Sequence, residues 1–211
     1  NAPADATDYA NDFIAINKYC DRVEIMAYDQ GAVAPRLNAA RVAPYAPVAD
    51  PAWVESVVRL AAQTIARNKL IIGIPTYGYE YKVTVASGGY KYERLWAFNP
   101  KYAIELAAKF GITPTRTSAN EMGFTYINAP VGPASESNIL VQHETPTSSV
   151  AQNAVQNAFL GVNSVPFNFV TWSDTQAVAN KVELARTLGV RGVAVFSLGG
   201  AQTPGMWEVL K

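Results

Sequence analysis

Three short strand-like runs, Arg22–Tyr28, Leu70–Pro75 and Val190–Leu198, constrain the fold of this chain more than any other feature. The middle run, Leu-Ile-Ile-Gly-Ile-Pro, is apolar throughout instead of at alternate positions. A strand with one wet face alternates, whereas a strand covered on both faces does not, and such strands belong to parallel sheets flanked by helices. The segments ahead of the runs have helical spacing. Phe13, Ile16 and Cys20 recur on one face at residues 8–20, after Asp5 and Thr7 as N-cap candidates. Val54, Val57, Val58, Ala61 and Ile65 follow Asp50-Pro51, an N-cap with proline at the first helical position. Val178, Val182, Ala185 and Leu188 line the last helical face, with Gly189 placed to end it. Helix and strand patterns alternate, which predicts α/β architecture.

The interval between the second and third runs is far longer than one crossover helix requires. Tyr77, Tyr79, Tyr81, Tyr90, Tyr92 and Trp96 form an aromatic, hairpin-like stretch with Gly88-Gly89 as its turn. Asn99-Pro100 opens a short helix that Gly111 ends, and Phe124–Ile127 and Phe167–Trp172 read as strands. Residues 128–166 between them are rich in Pro, Ser, Thr and Asn, with a helix turn or two expected at 150–160. Three units follow: βα units at 1–78, a small α+β insertion at 79–172, and a last helix and strand at 173–211. No internal repeat is present.

Hydrophobic residues make up 49% of the chain and charged residues 16%, enough for a core and unlike a disordered segment. Lys plus Arg and Asp plus Glu number 17 each, so charge gives no reason to expect nucleic acid or an anionic membrane as partner. No apolar run approaches the roughly 20 residues that span a bilayer. The single Cys20, just ahead of the first strand, reads as a small buried thiol. His143, in a polar stretch, has no second Cys with which to build a zinc site.

In parallel βα folds the functional residues lie at the C-terminal ends of strands. Here those ends carry Tyr28-Asp29-Gln30, Thr76-Tyr77-Gly78-Tyr79 and Phe196-Ser197. An adjacent tyrosine hydroxyl and carboxylate can clamp a polar ligand, and flat aromatics suit the apolar face of a sugar ring. Spacing alone equally allows Tyr28 to fill the rim and Asp29 to cap the next turn.

These residues resemble a family. The glycoside hydrolases of family 18, chitinases and relatives acting on N-acetylglucosamine polymers, carry Met-x-Tyr-Asp on their sixth barrel strand, matched by Met26, Tyr28 and Asp29. Their seventh strand reads Gly-[Ile/Leu/Val]-Pro-x-Tyr-Gly, matched by Gly73, Ile74, Pro75, Tyr77 and Gly78. Many members then insert an α+β unit and return through elements similar to Trp172, Asp174, Lys181, Gly192, Val193, Phe196 and Leu198. The resemblance implies an α/β fold: a partial (β/α)8 barrel of strands 6 to 8 with an inserted small α+β domain. It implies substrate-assisted, retaining cleavage of β-linked N-acetylglucosamine-containing polymers, chitin or peptidoglycan, with no cofactor and no metal. Tyr28 would hydrogen-bond the acetamido carbonyl and Asp29 a sugar hydroxyl or the acetamido group, both at the catalytic centre. Met26, Tyr77 and Phe196 would line the substrate-binding wall.

Two departures qualify this. Most members have Trp where this chain has Phe196, which keeps an apolar platform but loses area and the indole N–H. The family's acid is the Glu of Asp-x-x-Asp-x-Asp-x-Glu on strand 4, and the nearest look-alike here, Asp5-x-x-Asp8-x-Ala10-x-Asp12, has Ala and Asp where Asp and Glu are needed. Nothing in the spacing of Glu80 or Glu121 puts either in the cleft. The chain is thus expected to be an inactive C-terminal fragment, with Asn1 standing where the helix before strand 6 begins. A non-catalytic carbohydrate-binding relative is the alternative, and a purely structural or interaction fragment a third reading. Expected partners are a polysaccharide or glycan, and either the missing N-terminal barrel half or a second copy joined through open barrel edges. A secreted or cell-envelope location follows from the resemblance.

Overall fold

A computed structural model of the chain describes residues 11–39, 44–86, 89–127, 165–199, 203 and 205–211. Its first helix, α1 (Phe13–Tyr19), starts where the Asp12 carboxylate accepts the Ala15 N–H at 2.9 Å. Asp12 is therefore the cap of this helix, and Asp5 and Thr7 lie outside the described residues. Cys20 is exposed instead of buried, because it follows the last turn and precedes the sheet. Strand β1 is only Val23–Ile25; the Ala27 N–H turns back to the Ile25 carbonyl at 2.8 Å, which takes Met26 to Tyr28 out of the ladder.

Two short helices, α2 (Gln30–Val33) and α3 (Pro35–Ala39), follow, and then α4 (Pro51–Ala61). Helix α4 begins at Asp50, whose carboxylate accepts the Ala52 N–H, with Pro51 in the first turn. Strand β2 (Leu70–Pro75) pairs in parallel with β1 on one side and with β8 (Gly192–Phe196) on the other. Leu70, Ile72 and Ile74 alternate onto one face and are fully buried. Ile72 packs with Val54 and Val58 of α4 and Ala185 of α6 (Thr175–Leu188), and Ile74 with Val178 and Val182 of α6. Each such aliphatic side chain contributes about 1.5–3 kcal/mol by leaving water. Asp174 caps α6 through the Ala177 N–H, and Gly189 ends it at φ 62°, a left-handed position that suits glycine.

A second sheet of five antiparallel strands runs in the order β4-β3-β7-β6-β5. Its members are β3 (Gly78–Ala86), β4 (Gly89–Phe98), β5 (Thr115–Arg116), β6 (Met122–Tyr126) and β7 (Phe167–Trp172). Helix α5 (Pro100–Lys109) lies between β4 and β5 in sequence. The turn residue Gly88, His143 and the helix expected at 150–160 lie outside the described residues. One face of this sheet presents Tyr81, Val83, Phe167 and Phe169 to Ala46 and Val48. The other packs Phe124, Val170 and Trp172 on Ala103 and Ala107 of α5.

The sheets meet where the chain passes from β2 to β3 and from β7 to α6. The Ser173 N–H donates to the Tyr77 carbonyl at 3.1 Å, holding the two crossings side by side. A Cβ at Gly78 would lie 2.5 Å from both the Thr171 carbonyl oxygen and Trp172 Cβ, so only glycine fits. Glu121, fully buried ahead of β6, accepts the Val48 and Ala49 N–H groups at 2.9 and 2.7 Å. Burial pushes its carboxyl above the usual range, and the buried Lys181 ammonium on α6 draws it back. Glu121 thus fastens residues 47–49 of the parallel half to the antiparallel sheet.

Candidate functional site

The C-terminal ends of β1, β2 and β8 bring four of the five sequence-predicted residues together. Asp29 sits at φ 63°, ψ 23°, a left-handed conformation uncommon for a residue with a Cβ. It is held by its neighbours: the Asp29 carbonyl accepts N–H groups from Ala32 and Val33, and Gln30 and Gly31 donate to Val48 and Pro47 at 3.0 and 2.8 Å. Gln30 is fully buried, donates from its side chain to the Tyr45 hydroxyl and accepts the Asp50 N–H. The segment that Glu121 anchors therefore also fixes the backbone that aims Asp29.

The side chain of Asp29 does not cap α2. Its Oδ1 accepts the hydroxyl of Tyr77 and, at 2.8 Å, that of Tyr79. Oδ2 has no hydrogen-bond partner among the described residues. A carboxylate tethered through one oxygen keeps acceptor capacity on the other, at a fixed position. Burial raises the pKa of both tyrosines and the bonds to Asp29 raise it further, Tyr79 to about 12. Both are thus neutral donors at any physiological pH.

Tyr28 stacks on Phe196 with ring centroids 5.3 Å apart and an interplanar angle of 8°. Tyr77 meets both rings edge-on, at 6.4 and 6.0 Å. The Tyr28 ring is admitted by Gly73 on β2, where a Cβ would lie 2.8 Å from Tyr28 Cε1. Burial, Glu24 and Asp29 all raise the Tyr28 pKa, so its hydroxyl also stays protonated. Phe196 is half exposed, the buried Thr76 beside it donates its hydroxyl to the Ser197 carbonyl at 2.7 Å, and the Phe196–Ser197 peptide is cis. Met26 is the residue not gathered in: it is 71% exposed and packs in none of the core clusters among the described residues.

The arrangement offers an aromatic platform, a tyrosine donor and a half-free carboxylate. Such a surface binds a ligand with an apolar face and hydroxyl or amide edges. Glu80 and Glu121 do not open on it. Both are fully buried, Glu80 among Tyr102, Tyr126 and Asn168. No group of three His, Cys, Asp or Glu side chains among the described residues is placed to hold a metal ion. Sequence reasoning named Tyr79 at the strand end without giving it a role, and left Arg94 out of the site. Tyr79 was legible as the residue two beyond Tyr77 on an extended chain. Arg94, 5.3 Å above the Tyr79 ring, arrives only through hairpin register.

The profile of the glycosyl hydrolases of family 18 matches residues 1–201. An uncharacterized glycosylase of Bacillus subtilis (strain 168), YvbX, is 24% identical over 219 residues, covering 100% of this chain and 49% of the relative. A probable chitinase 2 of Drosophila melanogaster is 28% identical over 192 residues, 90% of this chain and 36% of that protein. Among solved structures, the spore cortex-lytic enzyme SleL of Bacillus megaterium QM B1551 superposes with a TM-score of 0.60 at 22% identity, over 95% of this chain and 35% of that one. The mixed α/β fold is shared with that solved structure, and the chain spans about half or less of the length of all three proteins.

Proposed function

The chain belongs to the glycosyl hydrolases of family 18, and from that premise we propose that it supplies one wall of a cleft for a β-linked N-acetylglucosamine-containing polymer, chitin or peptidoglycan. The observation that carries this is the Tyr28–Asp29 pair, with Tyr28 stacked on Phe196 and Asp29 tied, among the described residues, through Oδ1 alone. In substrate-assisted cleavage the acetamido oxygen attacks the anomeric carbon while an acid protonates the departing oxygen. Here Tyr28 donates to the acetamido carbonyl and steadies it for that attack. Asp29 Oδ2 accepts from the acetamido N–H or a neighbouring hydroxyl. Tyr77 and Phe196 shape the wall beneath the ring, and Met26 extends it on the open side. The sequence carries no Asp-x-x-Asp-x-Asp-x-Glu motif to supply that acid, and in this reading the isolated chain binds without cleaving.

In this reading residues 1–78 and 173–211 are the sixth to eighth βα units of a barrel, and 79–172 an insertion between the last two. Strands β1 and β8 are the edges of the parallel sheet among the described residues, and further barrel strands, or a second copy, would pair with them. A location at or beyond the cell envelope follows from where such polymers lie.

A second reading, a non-catalytic carbohydrate-binding protein, is favoured by Phe196 in place of a larger indole platform. Calorimetric titration with chitotetraose tests the shared core of both. Saturable binding, lost in the double variant Tyr28→Phe/Asp29→Ala, is expected; binding unchanged in that variant contradicts it. Joining the upstream barrel portion and assaying oligomer cleavage then separates hydrolase from lectin.

A further inference from the structure

Beside the Tyr28–Asp29 cluster, an open cleft of about 550 Å³ runs between the β3–β4 hairpin and the start of α2. Tyr81, Tyr92, Lys91 and Arg94 line it together with Gly31, and among the described residues no Asp or Glu does. It adjoins the proposed glycan site through two of its lining residues. Gly31 follows Asp29 by two residues, and the Arg94 guanidinium lies on the ring of Tyr79, whose hydroxyl holds Asp29.

The lining is rich in donors and poor in acceptors. Arg94 and Lys91 are exposed cations with no ion-pair partner among the described residues. Tyr92 accepts the Tyr45 N–H at 2.7 Å, which leaves its own proton to donate. The Tyr81 hydroxyl, buried in the floor, has no hydrogen-bond partner among the described residues. Gly31 is required there, since a Cβ would lie 2.7 Å from that hydroxyl and 2.8 Å from the Ala46 carbonyl oxygen. Burial raises both tyrosine pKa values, so the hydroxyls remain donors. Asp29, the one carboxylate at the inner end, already takes two tyrosine hydroxyls.

We infer that this cleft is a subsite for a sugar residue bearing a carboxylate, with that carboxylate set against Arg94 and the sugar ring beside Tyr92. A neutral polymer would leave these donors to water, whereas a carboxylate matches a guanidinium fork and accepts from several donors at once. The inference rests on the glycan reading above and narrows it: the preferred polymer is an acidic N-acetylglucosamine glycan instead of a neutral one.

The test titrates the chain with two tetrasaccharides of equal length. One is chitotetraose; the other alternates N-acetylglucosamine with N-acetylmuramic acid. The acidic glycan is expected to bind about ten-fold more tightly at low salt, with the advantage shrinking as salt is raised. Arg94→Gln should bring the ratio of affinities to within about two-fold of one, and Arg94→Lys should restore part of it. Lys91→Gln, on an exposed residue, supplies a second variant with a smaller effect in the same direction. Near-UV circular dichroism verifies that each variant is folded. Equal affinities in the wild type, or an acidic preference that survives Arg94→Gln combined with Lys91→Gln, overturn the subsite and leave the proposed function standing. Failure of both glycans to bind overturns both readings.

Discussion

The end of the parallel sheet and the interior of the antiparallel sheet each set a carboxylate among tyrosines, and they use it in opposite ways. Glu80 is fully buried, with Oε2 accepting from Tyr102 and Oε1 from Tyr126 and Asn168. Asp29 is partly exposed, and both of its tyrosines share Oδ1. Side-chain chemistry is nearly the same in the two places. What separates a structural clamp from a candidate binding group is whether acceptor capacity remains after folding, and whether a ligand can reach it.

That comparison can be broken by mutation. Glu80→Ala strands three donors in a packed sheet and is expected to cost about 3–5 kcal/mol in urea unfolding. Asp29→Asn should cost about 1 kcal/mol or less, because one oxygen still accepts, while weakening chitotetraose binding about ten-fold. Equal stability losses at the two sites would contradict the distinction. Gly73→Ala is the next largest effect. The added Cβ would overlap the Tyr28 ring and the Ile25 carbonyl, so a loss of about 1–3 kcal/mol is expected, together with a changed near-UV spectrum from the displaced ring.

The positions that proved readable from sequence are those fixed by local rules. Asp50-Pro51 and the Asp174-to-Gly189 frame are capping signals that act within a few residues; α4 starts at the first, and α6 starts and ends within the second. The unbroken apolar run Leu70–Pro75 declares a strand covered on both sides, and it is the middle strand of its sheet. Tyr28, Asp29, Tyr77 and Phe196 meet because parallel strands end on one side, a consequence of topology alone. Partners chosen by tertiary packing were not readable. Glu121 finds its N–H donors 72 and 73 residues away in sequence, and Arg94 reaches Tyr79 through a bulged hairpin whose register slips at Glu80/Tyr81. Cys20 misled because helical spacing placed it on the apolar face, one residue past the end of the helix.

The smallest expected effect lies at the seam between the two regions. Arg116 on β5 forks onto both oxygens of Asp174, each at 2.7 Å, tying the antiparallel sheet to the cap of α6. Burial acts to raise the Asp174 carboxyl, but the bonds from Arg116 and from the Ala177 N–H outweigh it and hold it below its usual value. A depressed carboxyl stabilises the fold above the unfolded pKa near 4, and that stability is lost as pH falls through the lower folded value. Arg116→Gln should therefore cost about 1 kcal/mol at neutral pH, the partial exposure of the pair limiting the effect, and progressively less as the pH falls below about 4. A pH-independent loss would show that Arg116 acts through packing.

The most direct test of the central claim is a ring-resolved NMR titration of the chain with chitotetraose. If the open carboxylate and its platform form the glycan wall, the resonances of Tyr28, Tyr77, Tyr79 and Phe196 shift saturably, while those of Tyr102 and Tyr126 around Glu80 stay still. Shifts centred on the Glu80 tyrosines, or binding that leaves Tyr28 and Phe196 unmoved, would contradict it.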